Sequence, residues 1–261
     1  MSETDDVFFQ FPLCLMNIKA EQKQRLETMM DHAVMAHGER IMADMEPGEP
    51  IKAADAMPTE NRPSGLDVTK RYHQAYAIGM QRLRVTHGSM SRVMDNVHTA
   101  REHINAHTEK HGRDAVVRIR TDVWFSCYRE QVPWRDFSIL AGLYSVIGGK
   151  PYPVIVYRSM LQARQLGYKS HSIMAQELKR RKDLRPLTED QIRYTLDQLE
   201  CAGWFARMQA SPRKVFFSNR LTREEMADKL MDKARAQGRA KRNRQTDAEL
   251  QRQLRELRAG K

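Results

Sequence analysis

The stretch LTEDQIRYTLDQLECAGWFARMQASPRKVFFSN, residues 187–219, contains the pattern from which we predict the fold of this chain. Thr188 followed three residues later by Gln191 is a capping box, which marks a helix start because each side chain satisfies a backbone N–H group of the other residue. Hydrophobic side chains then recur at helical spacing, and Gly203 ends the pattern; they are Ile192, Leu196 and Leu199. The stretch therefore predicts a helix over residues 188–202 with one buried face.

Two short strands are predicted after that helix. Aromatic and β-branched residues at 204–208 and 214–218 flank the polar segment Gln209–Arg213, which is typical of a β-hairpin with a basic tip. Upstream, hydrophobic periodicity and glycines predict further elements: a helix over Trp134–Gly148, a short strand over Val154–Val156, and helices over Arg158–Leu166 and Ser170–Asp183. The second half of the chain is therefore predicted to be helical with a small β-structure.

This order of a helix, a short strand, further helices and a hairpin resembles the winged helix-turn-helix superfamily of DNA-binding domains, over residues 134–220. The resemblance is one of fold, and it extends loosely to the winged-helix domains of plasmid and phage replication initiators and of bacterial regulators. It implies double-stranded DNA as the partner, with one helix in the major groove and the hairpin, or wing, on the backbone or minor groove. We therefore expect a mainly α protein with a small β-wing, in which a helical N-terminal domain precedes a C-terminal winged helix-turn-helix.

One assignment takes helix 188–202, directly before the wing, as the recognition helix. With the apolar face turned inward, its outward positions include Tyr194 and Gln198, and Arg193 flanks them. Arg193 and Gln198 suit the edges of guanine and adenine, and the wing adds Arg213 and Lys214 as phosphate contacts. Against this assignment, the same helix carries four acidic residues: Glu189, Asp190, Asp197 and Glu200.

A second assignment takes residues 158–166 and 170–182 as the two helices of the motif, with Lys169 in the turn between them. The second of these helices is basic where phosphates would lie, since it ends in the run Lys179, Arg180, Arg181 and Lys182. Ser170 begins it at the positive end of the helix dipole, which favours a phosphate or a base edge. The sequence leaves both assignments open, and both predict duplex DNA as the partner.

The positive charge is concentrated in the second half of the chain. The formal net charge is +11; residues 1–130 contribute −2, from 17 basic and 19 acidic residues, and residues 131–261 contribute +13, from 27 and 14. Such asymmetry is typical of a protein with a polyanionic partner. We therefore predict a double-stranded DNA-binding protein, either a sequence-specific transcriptional regulator or a plasmid- or phage-type replication initiator. The alternative is a winged helix that serves as a protein–protein interaction or assembly module.

We predict five segments along the chain. They are an apolar segment with a helix, a linker rich in proline and glycine, a helical hairpin with a connecting strand and helix, the winged helix-turn-helix, and a basic, partly helical tail, over residues 1–45, 46–65, 66–130, 131–220 and 221–261 respectively. Within the first segment, residues 7–16 are predicted to form a strand or an apolar arm, and residues 20–45 form one helix, or two that separate at Gly38. The methionines of this region suit adaptable interfaces or a core, and we favour the core.

The helical hairpin is predicted from two long periodic stretches around Gly88. Ser64 with Asp67 resembles the start of the first helix, and the second runs from Ser89 to His111. A short strand at residues 115–120 and a helix at residues 121–130 complete this segment.

The tail carries two separate signals. A basic cluster at Arg239, Lys241, Arg242 and Arg244 is either an arm along the DNA backbone or a solvated tail. Leucines at positions 250, 254 and 257 have a coiled-coil-like spacing for barely two turns, and they are our ground for predicting a homodimer.

Motifs for catalysis are absent from the sequence. It contains no GxxxxGK[ST] phosphate loop, no GxGxxG after a strand and no GxSxG elbow. We therefore predict a binding protein rather than an enzyme, and we predict neither a cofactor nor a metal. His103, His107 and His111 have a spacing at which two imidazoles can share a metal, but we favour a polar helix face for them.

The acidic N-terminus, the lack of a long apolar run and three scattered cysteines predict a cytoplasmic protein that does not span a membrane. Nothing in the sequence identifies a small-molecule effector.

Overall fold

The computed structural model describes residues 8–45, 65–83, 89–182, 184–211 and 214–237 of the chain. This part is mainly helical with a small amount of antiparallel sheet. The elements, in order, are β1 (Phe8–Pro12), a 3₁₀-helix (Leu13–Asn17), α1 (Gln22–Met45), α2 (Gly65–Leu83), α3 (Met90–His111), β2 (Val116–Arg120), α4 (Thr121–Arg129), α5 (Trp134–Ile147), β3 (Val154–Ile155), α6 (Arg158–Gln165), α7 (His171–Arg180), α8 (Glu189–Cys201), β4 (Ala206–Ser211), β5 (Lys214–Ser218) and α9 (223–237).

The first helix, α1, runs without interruption through Gly38, so the chain forms one helix where the sequence allowed one or two. The glycine is required by the neighbouring helix α2, because a Cβ at Gly38 would lie only 1.7 Å from the carbonyl oxygen of Ala75. Gly79 of α2 comes equally close to α1, since a Cβ there would lie 2.1 Å from the carbonyl oxygen of Val34. The two backbones are therefore in direct contact at this crossing.

Helices α2 and α3 both pack mainly on α1. The predicted cap Ser64 and the predicted turn at Gly88 lie outside the described residues, so the hairpin itself stays a prediction. Of the methionines on α1, Met29, Met35 and Met42 are buried, in agreement with the expected core. This region therefore centres on α1.

The predicted strands near the start and the end of the N-terminal half pair with each other. β1 and β2 are antiparallel, with Phe9 opposite Ile119. Pro12 lies at the end of the ladder, where the lack of a backbone N–H in proline does not interrupt the hydrogen bonds between the strands. Buried and less buried side chains alternate along both strands. In this pairing the buried residues of one strand, Phe9 and Phe11, lie on the same side of the sheet as those of the other, Ile119 and Val117. The apolar residues near the N-terminus thus form a buried strand.

A second, three-stranded sheet follows in the C-terminal half, with strand order β3-β5-β4 and antiparallel pairing throughout. β5 has the predicted bounds, but β4 begins at Ala206 and continues to Ser211, where the sequence predicted a strand over 204–208 and a turn from Gln209. The polar residues remain in the strand because Gln209 pairs with Val215 and Ser211 with Lys214, across an irregularity in register. The predicted start of the turn was therefore wrong.

The hydrophobic core is continuous across the predicted boundary at residue 131. Trp124 of α4 lies 5.0 Å from Phe9 and 5.6 Å from Phe137 of α5, measured between ring centroids. Helix α5 is buried on almost every side, and its Tyr144 hydroxyl donates a hydrogen bond to the carbonyl oxygen of Trp204 at the start of the hairpin. Shared aromatic packing, rather than an exposed connection, therefore joins the two halves.

Two predicted segments fall largely or wholly outside the described residues: the linker, except Gly65, and the basic and leucine-containing part of the tail, 238–261. Within the described ranges, none of the helices is both long enough and apolar enough to cross a membrane.

Candidate nucleic-acid interface

Helix α8 has the cap and the buried face that the sequence predicted. The Thr188 hydroxyl accepts a hydrogen bond from the Gln191 backbone N–H, the Gln191 side chain accepts one from the Thr188 N–H, and Ile192, Leu196 and Leu199 are buried. The residues proposed to read bases lie on the outer side: Tyr194 is 58% exposed, and Arg193 and Gln198 are exposed as well. This face is therefore accessible to a partner.

The carboxylates of α8 are paired with arginines, most of which belong to other elements. Glu189 accepts from Arg158 of α6 at 2.6 Å, and Asp190 accepts from Arg193 at 2.8 Å. Sequence reasoning missed this neutralisation because most of these arginines are distant in the chain. Paired carboxylates repel a phosphate backbone less than free ones, so the acidity of α8 is a weaker objection to DNA binding than the sequence suggested.

The C-terminal end of α8 is paired in the same way. Arg207 of β4 contacts Asp197 and also Glu200, the second at 2.6 Å. Glu200 is further paired with Arg223 of α9 at 2.6 Å. α8 is thus tied by its acidic side chains to α6, β4 and α9.

Helix α7 is shorter than predicted. It starts at His171 with Ser170 as N-cap, whose hydroxyl accepts a hydrogen bond from the Ile173 N–H, and it ends at Arg180. The predicted helix continued to Asp183, so Arg181 is instead the C-cap and Lys182 lies beyond the helix. The basic run therefore extends across the C-terminal end of α7 and does not lie along one face of the helix.

The inner side of α7 is docked on the C-terminal end of α3. Glu177 is buried and accepts from the Lys110 ammonium at 2.8 Å, a hydrogen bond that holds the pKa of Glu177 below its usual range. Lys169, a predicted DNA contact, donates to the backbone carbonyls of His111 and Arg113 at 2.7 and 3.0 Å. Lys169 therefore satisfies the last carbonyl of α3 and one carbonyl of the segment that follows it.

A group of exposed cations lies at the other side of α7 and just beyond it. We call Lys179, Arg180, Lys182 and Arg185 the basic end of α7; all four are exposed. Arg180 is 3.8 Å from Glu177, whereas Lys179, Lys182 and Arg185 have no carboxylate partner among the residues that the structure describes. Arg181 is half-buried. The sequence prediction missed Arg185, although the basic run extends towards it.

Arg213 and the side chain of Lys214, at the tip of the predicted wing, lie outside the part of the chain that the structure describes. Their predicted phosphate contacts stay predictions.

His103, His107 and His111 of α3 are turned towards the protein rather than towards solvent. His107 is buried, with its ring 4.8 Å from that of His111, and the His103 Nε2 donates to the Cys14 carbonyl at 2.9 Å. Burial is the main reason that the pKa of each histidine lies below its ordinary value. The predicted polar helix face is therefore packed against other polar groups of the protein, among them Asn17 and Glu177. No group of three or more potential ligands within the described ranges is arranged to hold a metal.

Comparison with known proteins adds no further constraint: no protein-family model, curated protein or solved structure matches this chain.

Proposed function

We propose that the chain is a double-stranded DNA-binding protein that acts through a winged helix-turn-helix formed by residues 134–220. The order from α5 to β5 and the small sheet β3-β5-β4 support this fold assignment. The observation that carries the function is the basic end of α7, where three exposed cations lack a carboxylate partner among the described residues. Unpaired cations are free to replace the counterions of a phosphate backbone.

The two helices would divide the work of recognition. Lys179, Lys182 and Arg185 neutralise phosphates and fix the position of the protein on the duplex, without selecting a sequence. Tyr194 and Gln198, on the exposed and internally neutralised face of α8, contact base edges in the major groove. Arg213 and Lys214 of the wing complete the predicted phosphate contacts. This division uses both assignments that the sequence left open.

Binding, rather than chemistry, is the proposed activity. A transcriptional regulator and a plasmid- or phage-type replication initiator share the same interface, and the position of the bound site, at a promoter or an origin, separates them. A homodimer and a cytoplasmic location belong to the same proposal.

The first test reverses the charge of the basic end. Lys179, Lys182 and Arg185 are changed together to Glu, and Arg40, Arg118 and Arg129, exposed cations outside α7 and α8, are changed to Glu as the matched control. Affinity for a random duplex is measured between low and physiological salt. We expect the log-log salt slope to become shallower by about 2 to 3 in the test variant, since about 0.9 is lost for each phosphate contact, and to change little in the control.

Three outcomes count against the proposal. An equal loss of affinity in the test variant and the control variant would show that only the net charge of the protein matters. Tighter binding of duplex RNA than of duplex DNA would identify a different partner. Absence of binding to every nucleic acid at low salt would leave the interaction module in its place.

Selection from genomic fragments tests the role of α8. Changing Tyr194 and Gln198 to Ala should reduce the enrichment of preferred fragments while the salt slope stays the same, because base contacts specify and phosphate contacts position. Unchanged enrichment would remove α8 from the reading of bases.

A further inference from the structure

An open cleft of about 480 Å³ lies beneath α8, between this helix, the start of α6 and the sheet. Its floor reaches the hydrophobic core, because the lining includes buried side chains from all three elements: Val156, Leu161, Ile192, Leu196 and Phe217. A volume of this size lies within the range of clefts that hold small molecules. The feature is therefore large enough and apolar enough to receive an organic ligand.

Four arginines line the rim of the cleft: Arg158, Arg193, Arg207 and Arg223. Each is paired with a carboxylate of α8, namely Glu189, Asp190, Asp197 or Glu200, so these charges balance. Guanidinium groups beside an apolar floor match a ligand that combines an anionic group with an apolar body where that anion replaces one of the carboxylates.

The arginines differ in how firmly they are held. Arg158 and its partner Glu189 have side chains 62% and 63% exposed, and Arg193 and Asp190 are similarly exposed. Exposed ion pairs contribute only about 0 to 1 kcal/mol, so a ligand anion can replace these carboxylates at little cost. Arg207, paired with the nearly buried Glu200, is the fixed part of the rim.

We propose that this cleft binds a small organic anion with an apolar, aromatic-sized body. The anionic group lies between Arg158 and Arg193, and the body contacts the apolar floor. An inorganic anion lacks the group that would cover the floor, and a neutral analogue lacks the charge that the arginines recognise. The proposal does not depend on DNA binding, since none of its residues belongs to the basic end of α7.

Three probes separate these contributions: 1-naphthoate, the neutral 1-naphthylmethanol and inorganic phosphate. The reporter is the Met208 methyl group, because Met208 lines the cleft and an aromatic ring nearby shifts its NMR signal. The signal is assigned in the full chain with the Met208→Leu variant. We expect 1-naphthoate to shift it saturably and to bind about tenfold more tightly than either other probe, because charge-assisted contacts add to apolar burial.

Variants locate the binding. Arg158→Gln with Arg193→Gln should weaken 1-naphthoate about tenfold, since two charge-assisted hydrogen-bond donors are lost, whereas Arg40→Gln with Arg129→Gln should leave it unchanged. Val215→Trp, which fills the cleft from β5, should abolish the shift. Three results would each overturn the proposal. The first is that 1-naphthoate does not shift the Met208 signal, and the second is that the neutral probe binds as tightly as 1-naphthoate. The third is that the Arg158 and Arg193 variant binds 1-naphthoate as tightly as the parent protein does.

Discussion

Ionisable side chains serve largely different purposes in the two halves of this protein. In the helices around α1 they are buried and bonded to one another: the Asp31 carboxylate accepts from the Tyr76 hydroxyl at 2.8 Å and from the Asn96 amide at 2.7 Å. Between α5 and β5 most charged side chains lie at the surface, Glu177 being buried, and the core is mainly apolar with a few buried polar groups such as Ser138 and Thr195.

Side chains that are already bonded to each other cannot also bind a partner. A buried, satisfied polar network specifies one packing arrangement, and its groups have no capacity left for a partner. Surface cations such as Lys179 and Lys182, with no carboxylate partner in the described part of the chain, retain that capacity. The first half is therefore built for specific packing, and the second presents the proposed interface.

The strongest test of this comparison is Gly38→Val, at the crossing of α1 and α2. We expect the free energy of unfolding to fall by roughly 3 kcal/mol or more, because the new side chain overlaps the Ala75 carbonyl and the helices must separate. Ala77→Val, at an exposed position of α2, is the control and should cost only about 0.5 kcal/mol through helix propensity. Chemical denaturation measures both. Equal denaturation midpoints for Gly38→Val and Ala77→Val would show that α1 and α2 cross at a greater distance than described.

A second test uses pH. Burial, together with the nearby Arg101, lowers the pKa of His32 to about 4, against an ordinary value of 6.5. The unfolded chain therefore binds more protons than the folded one between these values, so stability falls as pH drops below about 6.5. For His32 alone we expect a loss of about 2 kcal/mol between pH 7 and pH 5. His32→Gln should reduce this slope in urea titrations; an unchanged slope would contradict the assignment.

A third test removes one donor from the buried network. Tyr76→Phe should lower the free energy of unfolding by about 1 to 2 kcal/mol, because Asp31 loses a hydrogen-bond donor in a buried site. Tyr152→Phe, at a residue 53% exposed, should change it by less than about 0.5 kcal/mol. If thermal denaturation finds the two variants alike, the network adds nothing to stability.

The smallest effect is expected in the second half, at the cap of α8. Thr188→Ala should cost about 1 kcal/mol, since the Gln191 N–H loses its side-chain acceptor. Thr188→Ser keeps that oxygen and should unfold close to the parent in denaturant. A serine variant as unstable as the alanine variant would assign the effect to the lost methyl group.

Local signals account for the parts of the fold that were predicted well. The capping box, the buried face of α8 and the bounds of β5 follow from residues within a few positions of each other, whose spacing reflects helix and strand geometry. The strand β2 was recognisable for the same reason, because alternate residues face the core.

Longer-range features were missed or misplaced. The arginines that neutralise α8 come from α6, β4 and α9 as well as from α8 itself, and Lys169 binds the end of α3. The sequence predicted only a polar helix face for His103, His107 and His111, because nothing in their own helix indicates that Tyr168 and Glu177 cover His107 and His111. Of the candidate site, the residue types were predictable, but their partners were not.

Most secondary-structure segments of the described chain, the apolar faces and the concentration of positive charge follow from the sequence, because they depend on composition and on periodicity along one chain. The pairing of charges, the close approach of helices at glycines and the lining of the cleft follow from how the chain folds. Those properties depend on distances between residues far apart in sequence, which packing alone sets.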